Sequence, residues 1–287
     1  MTLIDLHTHT NASDGTDSPT ELIAKAHAAG LTAVAVTDHN TVAGLDEAEE
    51  AGRALNIAVI RGCEISAFTE HGEMHILGLW LPRDVGPLQK LLHYLLANRA
   101  ERNVRILERL RTLGLDVSME EVRDEACCAN VGRMHIAAVL LRRGYVGNVQ
   151  EAFSRYLGGQ GRAYLPKDVL TPEEAVRSLA DLGATVSLAH PMLKKYPAGW
   201  PENFVTRLAG YGLSALEAWH SEQTKADTRA CRAIAERFSL GLSGGSDYHG
   251  ANKPGLRLGV GYGDLRVSCD VLEGLMHMRR AAGLLCP

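Results

Sequence analysis

The chain has 287 residues, of which 46% are hydrophobic and 22% charged, values that exclude a disordered or fibrous protein and fit one large barrel or two modest domains. Thirty Lys and Arg stand against 34 Asp and Glu, a net charge of −4, and no basic run is long enough to track a nucleic-acid backbone. Long nucleic acid is therefore not an expected partner, and a small anionic substrate needs local cations. The start lacks a basic region followed by an apolar signal core, and nowhere do about 18 apolar residues run together, so the expectation is a cytoplasmic protein with no membrane partner.

Residues 3–10 read as a short strand whose two-residue period sets His7 and His9 on one face, with Cβ atoms ~6 to 7 Å apart. That spacing lets two imidazoles grip one ion. Asn11 to Gly15 is a turn carrying Asp14. Ser18-Pro19-Thr20-Glu21 has capping-box spacing with proline at the first helical position, which predicts a helix to about Gly30. Residues 31–37 are a buried strand delivering Asp38 and His39 to its C-terminal end. A helix over 42–55 and a strand over 57–62, ending at Cys63-Glu64, complete an alternation that predicts parallel pairing. The fourth apolar run, 74–80, carries His75 near its start.

From Pro82 to Pro166 the spacings are helical throughout: a long stretch over 88–113, a capping box at Ser118–Glu121, a helix over 133–143 and another over 149–157. Residues 82–165 therefore read as an insertion into a barrel built from 1–81 and 166–287. The strand–helix rhythm resumes with the cap Thr171–Glu174, a helix to Gly183, and a strand over 184–189 ending at His190. A helix near 203–209, a strand over 213–219, a helix over 226–238 and a short strand over 240–244 follow, the last opening onto Asp247 and His249. Residues 258–265 read as extended, and a helix from 269 to 281 closes the chain. The six cysteines, Cys63, Cys127, Cys128, Cys231, Cys269 and Cys286, show no C-x-x-C spacing and are expected as reduced, buried thiols.

The candidate ligands, Asp38 among them, fall at or just after strand ends in six segments, and β/α barrels keep their sites at the C-terminal rim of the strands. His75 fits this placement less well. Imidazoles and carboxylates suit Zn²⁺, Mn²⁺ and Fe²⁺, and a carboxylate can bridge two ions. The set His7, His9, Asp14, His39, Glu64, His75, His190, Asp247 and His249 exceeds the needs of one ion and suffices for three.

These motifs, Asp5-Leu6-His7-Thr8-His9, Ser13-Asp14-Gly15, Thr37-Asp38-His39, Gly62-Cys63-Glu64-Ile65, His75, Ala189-His190-Pro191 and Gly245-Ser246-Asp247-Tyr248-His249, resemble in order those of the PHP (polymerase and histidinol phosphatase) family of metal-dependent phosphoesterases. The resemblance implies an α/β fold, a distorted seven-stranded (β/α)7 TIM-like barrel, with up to three divalent ions. It implies that His7, His9, Glu64 and Asp247 hold one ion, that Glu64 bridges to a second held with His75 and His190, and that Asp14, His39 and His249 hold a third. A hydroxide shared by two ions then attacks phosphorus in line, with Glu64, His190 and Asp247 the residues closest to catalysis.

Gly132-Arg133-Met134-His135 and the segment from His249 to Pro254 resemble the branch of the family with a helical insertion capping the active site. This branch includes enzymes acting on nucleotide 3′,5′-bisphosphates, short RNA 5′ ends and small cyclic phosphodiesters. Arg133, His135 and His220 are the expected substrate contacts. Gln223 stands where many relatives have histidine, and His220 is the residue placed to substitute. The expected activity is hydrolysis of a small phosphorylated metabolite such as a nucleotide bisphosphate. The alternatives are a cyclic phosphodiesterase, a 5′-3′ exonuclease on short RNA and, more remotely, an amidohydrolase or a non-catalytic metal-binding module. The oligomeric state is left open.

Overall fold

The computed structural model describes residues 2–126, 131–166, 169–193 and 199–285. The chain folds as two compact units, Met1–Gln89 with Leu170–Pro287, and Lys90–Val169. In the first unit seven strands form one mixed sheet in chain order: β1 (Leu3–Asp5), β2 (Leu31–Val36), β3 (Ala58–Thr69), β4 (Gly72–Leu79), β5 (Thr185–Leu188), β6 (Leu213–His220) and β7 (Gly241–Gly245). Helices α1 (Pro19–Ala28) and α2 (Leu45–Leu55) link the first three strands. The Ser18 box forms as its spacing dictates: Glu21 N–H donates to Ser18 Oγ at 3.2 Å and Ser18 N–H to Glu21 Oε2 at 2.8 Å. The Thr171–Glu174 box closes in the same way ahead of α7 (Pro172–Ala180). Two further helices, α8 (Trp200–Ala209) and α9 (Lys225–Arg237), separate β5 from β6 and β6 from β7, and α10 (Cys269–Ala281) closes the chain.

β1 to β3 pair in parallel, and so do β5 to β7. The expectation of a uniform β/α alternation fails at β4, which is antiparallel to both β3 and β5. β3 runs on to Thr69, well past its expected end, and only Glu70 and His71 separate it from β4, a hairpin too short for a parallel crossover. Because β4 runs the other way, its first residues lie where its neighbours end. Ala189 N–H, just past β5, donates to His75 O at 3.0 Å. His75 near the start of its strand thus reaches the rim that His190 reaches from the end of β5.

The two outer strands also meet. Leu6 N–H donates to Gly244 O at 3.1 Å, and Thr8 bridges in parallel to Tyr248, an arrangement consistent with a distorted barrel. Ile4, Leu6, Ala33, Ala35, Ile60, Leu79 and Ala215 pack a core with Val267 and Leu275. Residues 258–265 form turns rather than a strand. Gly259, Gly261 and Gly263 take φ of +70°, +55° and +128°, left-handed conformations that interrupt a ladder, and Gly259 N–H donates to the buried Asp5 Oδ2 at 2.8 Å.

Among its described residues the second unit has helices and turns but no strand. It contains the greater part of α3 (Gly86–Thr112), then α4 (Met119–Ala126), α5 (Arg133–Arg142) and α6 (Val149–Ala152), which continues as a π-helical turn over Phe153–Leu157. Ile106, Leu110, Val122, Ile136, Val139, Leu140 and Leu157 form its own core. Cys63 and Cys231 are buried free thiols as expected, Cys269 is free but only half-buried, and Cys127, Cys128 and Cys286 lie outside the described residues. Among the described residues no helix is long and apolar enough to cross a membrane.

Candidate metal centre

The His7-Thr8-His9 segment continues β1 and is clamped on both sides. Thr37 N–H donates to Thr8 O at 2.9 Å on the β2 side, and on the β7 side His9 N–H donates to Tyr248 O and Asp247 N–H to His7 O, both at 2.9 Å. With Thr8 bonded outward through its hydroxyl to Ala35 O at 2.6 Å, the alternation of the strand sends both imidazoles inward. A Cβ on Gly245 would overlap the backbone nitrogen of His7, so this approach requires glycine. β3 carries Glu64 in its interior, fixed against the end of β2 by Glu64 N–H to Asp38 O at 3.1 Å and Asn40 N–H to Glu64 O at 2.8 Å. His190 and Asp247 take positive φ, +30° and +58°, strained bends at the ends of β5 and β7 that re-aim their side chains.

Glu64 is the hub. Its Oε2 lies 3.2 Å from Nε2 of both His7 and His9 and 3.0 Å from His39 Nδ1. Its Oε1 lies 3.0 Å from His75 Nδ1 and 3.3 Å from His190 Nε2. Asp247 Oδ1 approaches the same Nε2 atoms of His7 and His9 at 3.4 and 3.2 Å. Asp14 Oδ1 sits 3.3 Å from His249 Nε2 and 3.7 Å from His9 Nδ1, and its other oxygen lies 3.8 Å from His39 Nε2. Three groups emerge whose ligand atoms all lie within 4.8 Å of one another: His7, His9, Glu64 and Asp247; His39, Glu64 and His75; and His9, Asp14, His39 and His249.

The donor set fits divalent ions in two respects. First, six buried atoms in this cluster, His7 Nε2, His9 Nδ1 and Nε2, His39 Nδ1, Glu64 Oε2 and His75 Nδ1, have no hydrogen-bond partner, although each such atom costs about 1–3 kcal/mol to bury unsatisfied. Secondly, the carboxylates are ionised: burial raises Glu64, but His39, His7 and His75 around it hold it well below the usual carboxylate range. Asp247 is likewise held low by His7, His220 and His9 against the effect of burial. Without a cation the imidazoles must supply the countercharge. Burial depresses His9 and His75, yet the neighbouring carboxylates raise them to about 9 and about 10. His39, dominated by burial, falls to about 3. A divalent ion replaces such protons and satisfies the orphaned atoms together.

The remaining expected residues divide. His190 reaches Glu64 but stands outside the three mutual groups. Asp38 turns away from the cluster: its oxygens accept from Thr10 N–H and Thr10 Oγ1, each at 2.7 Å, and from Ser13 Oγ at 2.6 Å, so it braces the turn that presents Asp14. His220 is buried beside the centre, Nε2 3.3 Å from Asp247 Oδ2. Gln223 accepts from Met192 N–H at 3.1 Å and donates to the carbonyls of Glu217 and Ala218, so it braces the loop after His190. Arg133 and His135 belong to the second unit, where Arg133 Nη1 donates to Leu157 O at 2.7 Å and His135 Nδ1 accepts from Gly132 N–H at 3.1 Å.

Two residues were not singled out from sequence. Lys253 pairs with Asp247 Oδ2, and the fully buried Glu217 bonds His7 Nδ1 at 2.9 Å and accepts from His190 N–H at 2.7 Å. The signal for Glu217 was present, a lone carboxylate in the otherwise uncharged run Leu213-Ser214-Ala215-Leu216-Glu217-Ala218-Trp219.

The PHP domain model matches residues 5–110. A 5′-3′ exoribonuclease of Haemophilus influenzae is 34% identical over 85% of this chain and 89% of its own length. A phosphoribosyl 1,2-cyclic phosphate 1,2-diphosphodiesterase of Eggerthella lenta is 32% identical over 86% and 94%. A 3′,5′-nucleoside bisphosphate phosphatase of Chromobacterium violaceum is 29% identical over 90% and 91%. Among solved structures, that of a proposed metal-dependent phosphoesterase from Bifidobacterium adolescentis superposes with a TM-score of 0.74 at 28% identity, covering 96% of both chains. The ligand-rich rim, the mixed seven-stranded sheet and these relatives agree, and the chain belongs to the PHP family of metal-dependent phosphoesterases.

Proposed function

We propose that the chain is a phosphodiesterase that shortens small RNAs from the 5′ end. The observation that carries this reading is the 34% identity to a 5′-3′ exoribonuclease over 85% of the chain, against 29% to the bisphosphate phosphatase. It takes precedence over the phosphomonoesterase expected from sequence. A net charge of −4 suits a short oligonucleotide better than a long one, since little beyond the site attracts a polyanion.

In this reading the nine rim residues would hold up to three ions of Mn²⁺, Fe²⁺ or Zn²⁺ type, and Glu64, with an oxygen turned to each side of the cluster, would be shared between them. Bound ions supply Lewis acidity toward the phosphoryl oxygens and lower the pKa of coordinated water. The chain's own residues do the rest. Glu64, His190 and Asp247 orient the groups around the scissile phosphorus. Lys253, beside Asp247 Oδ2, would be the N–H group that meets a phosphoryl oxygen or hands a proton to the leaving oxygen, while the fully buried His220 would act through Asp247. Arg133 and His135 are the further residues proposed as phosphate contacts, a guanidinium being able to clasp phosphate with paired hydrogen bonds.

The test uses Mn²⁺-loaded protein and 5′-phosphorylated RNA oligomers of about three to five nucleotides, with a 3′,5′-bisphosphorylated nucleoside and a 1,2-cyclic ribose phosphate in parallel. Stepwise loss of 5′ mononucleotides with the highest kcat/KM is expected for the RNA. A higher kcat/KM on either small molecule, with RNA left intact, refutes the exonuclease reading in favour of that substrate.

A further inference from the structure

We infer that Glu217 is the positioning residue of the metal centre, setting the tautomer of His7 with one oxygen and the bend at His190 with the other. Oε1 lies 2.9 Å from His7 Nδ1, and Oε2 accepts from the backbone N–H of His190 at 2.7 Å, in a side chain with no exposure to solvent. An ionised carboxylate only accepts, so the facing Nδ1 carries the proton. The lone pair of the neutral ring then falls on Nε2, the atom that points at Glu64 Oε2 and Asp247 Oδ1 and has no hydrogen-bond donor of its own. The second oxygen holds the His190 backbone where φ is +30°, a conformation that a non-glycine residue keeps only when its surroundings enforce it. One buried carboxylate on β6 thus fixes ligand geometry at the ends of β1 and β5.

Replacement by glutamine separates the two tasks. An amide has one acceptor oxygen, so its NH₂ must face either His7, which moves the ring proton to Nε2 and blocks the ligand atom, or the His190 N–H, which sets donor against donor. Glu217→Gln should therefore bind Mn²⁺, in competition with a chelator, about 10- to 100-fold more weakly, the usual scale for losing a partner of a metal-bound imidazole. kcat should fall while KM for substrate stays within about twofold, because Glu217 acts through the ligands rather than on substrate. Glu217→Asp keeps the charge but is too short to reach both partners, and should fall between wild type and Glu217→Gln.

A purely structural role predicts the opposite pattern: a lower melting temperature, with the folded fraction binding Mn²⁺ as tightly as wild type. That result overturns the inference. A second measurement needs no variant at this position. In Zn²⁺-loaded wild-type chain with ¹⁵N-labelled histidine, the His7 ring, assigned by its loss in His7→Asn, should carry its proton on Nδ1. A proton on Nε2 overturns the inference, and a wild-type chain that takes up neither Mn²⁺ nor Zn²⁺ overturns it together with the metal reading on which it rests.

Discussion

Stripping divalent ions from the protein and returning them under a thermal scan tests the centre directly. The six unpartnered buried atoms forfeit roughly 6 to 18 kcal/mol in total at about 1–3 kcal/mol each, an upper bound on what an ion can restore. The recoverable part at a given concentration follows mass action, about 4 kcal/mol for one ion at 1,000 times its dissociation constant. For a unit of this size each kcal/mol moves the melting temperature by about 2–4 °C, so one tightly bound ion should raise it by roughly 8–16 °C, and further ions should add to that. Differential scanning calorimetry of chelator-treated protein titrated with Mn²⁺, Fe²⁺ or Zn²⁺ gives the shift, and elemental analysis of the same samples gives the stoichiometry. A melting temperature that stays within about 2 °C of the stripped protein, whichever of the three ions is added, refutes the reasoning, because a cluster with six unsatisfied atoms cannot be indifferent to the ion that satisfies them.

Glu64→Gln and His190→Asn should each lower phosphoesterase turnover by two orders of magnitude or more with the fold retained by circular dichroism, and near-wild-type turnover in Glu64→Gln would remove Glu64 from the proposed mechanism. In the stripped protein His9 and His75, raised to about 9 and about 10, hold protons at neutral pH that binding must expel. Calorimetric titration should therefore show net proton release through its dependence on the buffer's ionisation enthalpy, with affinity rising until about pH 10. Stability of the stripped protein should depend on pH as well. Folded-state values above the ordinary value give a stabilisation that is full below about pH 6.5 and declines as pH rises through about 9 and 10, while His39, at about 3, destabilises as pH falls below about 6.5. A maximum near neutrality is expected, and a melting temperature flat from pH 5 to 10 would contradict it. Arg133→Met should leave metal content unchanged and cost about 1.5–3 kcal/mol in kcat/KM for phosphate esters. If only the melting temperature moves, the bond to Leu157 O and the Phe153 and Tyr164 rings beside the guanidinium account for Arg133.

Sequence by itself determined the elements and the chemistry. Periodicity and caps placed most of the strands and helices, though not the turns over 258–265 or the end of β3, and the clustering of histidines and carboxylates at strand ends pointed to a candidate metal centre, because a strand's period and a cap's side chain are local properties. What pairs with what is not local, and only the tertiary structure decided it. The direction of β4 depends on a two-residue link and on partners more than 100 residues away in β5, and that direction is what brings His75 to the rim. The same holds for Asp38 and His39, adjacent in sequence at the end of one strand: one turns to Thr10 and Ser13 and the other to Glu64. Glu217 shows the limit most plainly. A lone carboxylate in an apolar strand says that a buried partner exists, but His7 lies 210 residues away, and only the closing of β1 against β7 beside β6 brings the two together.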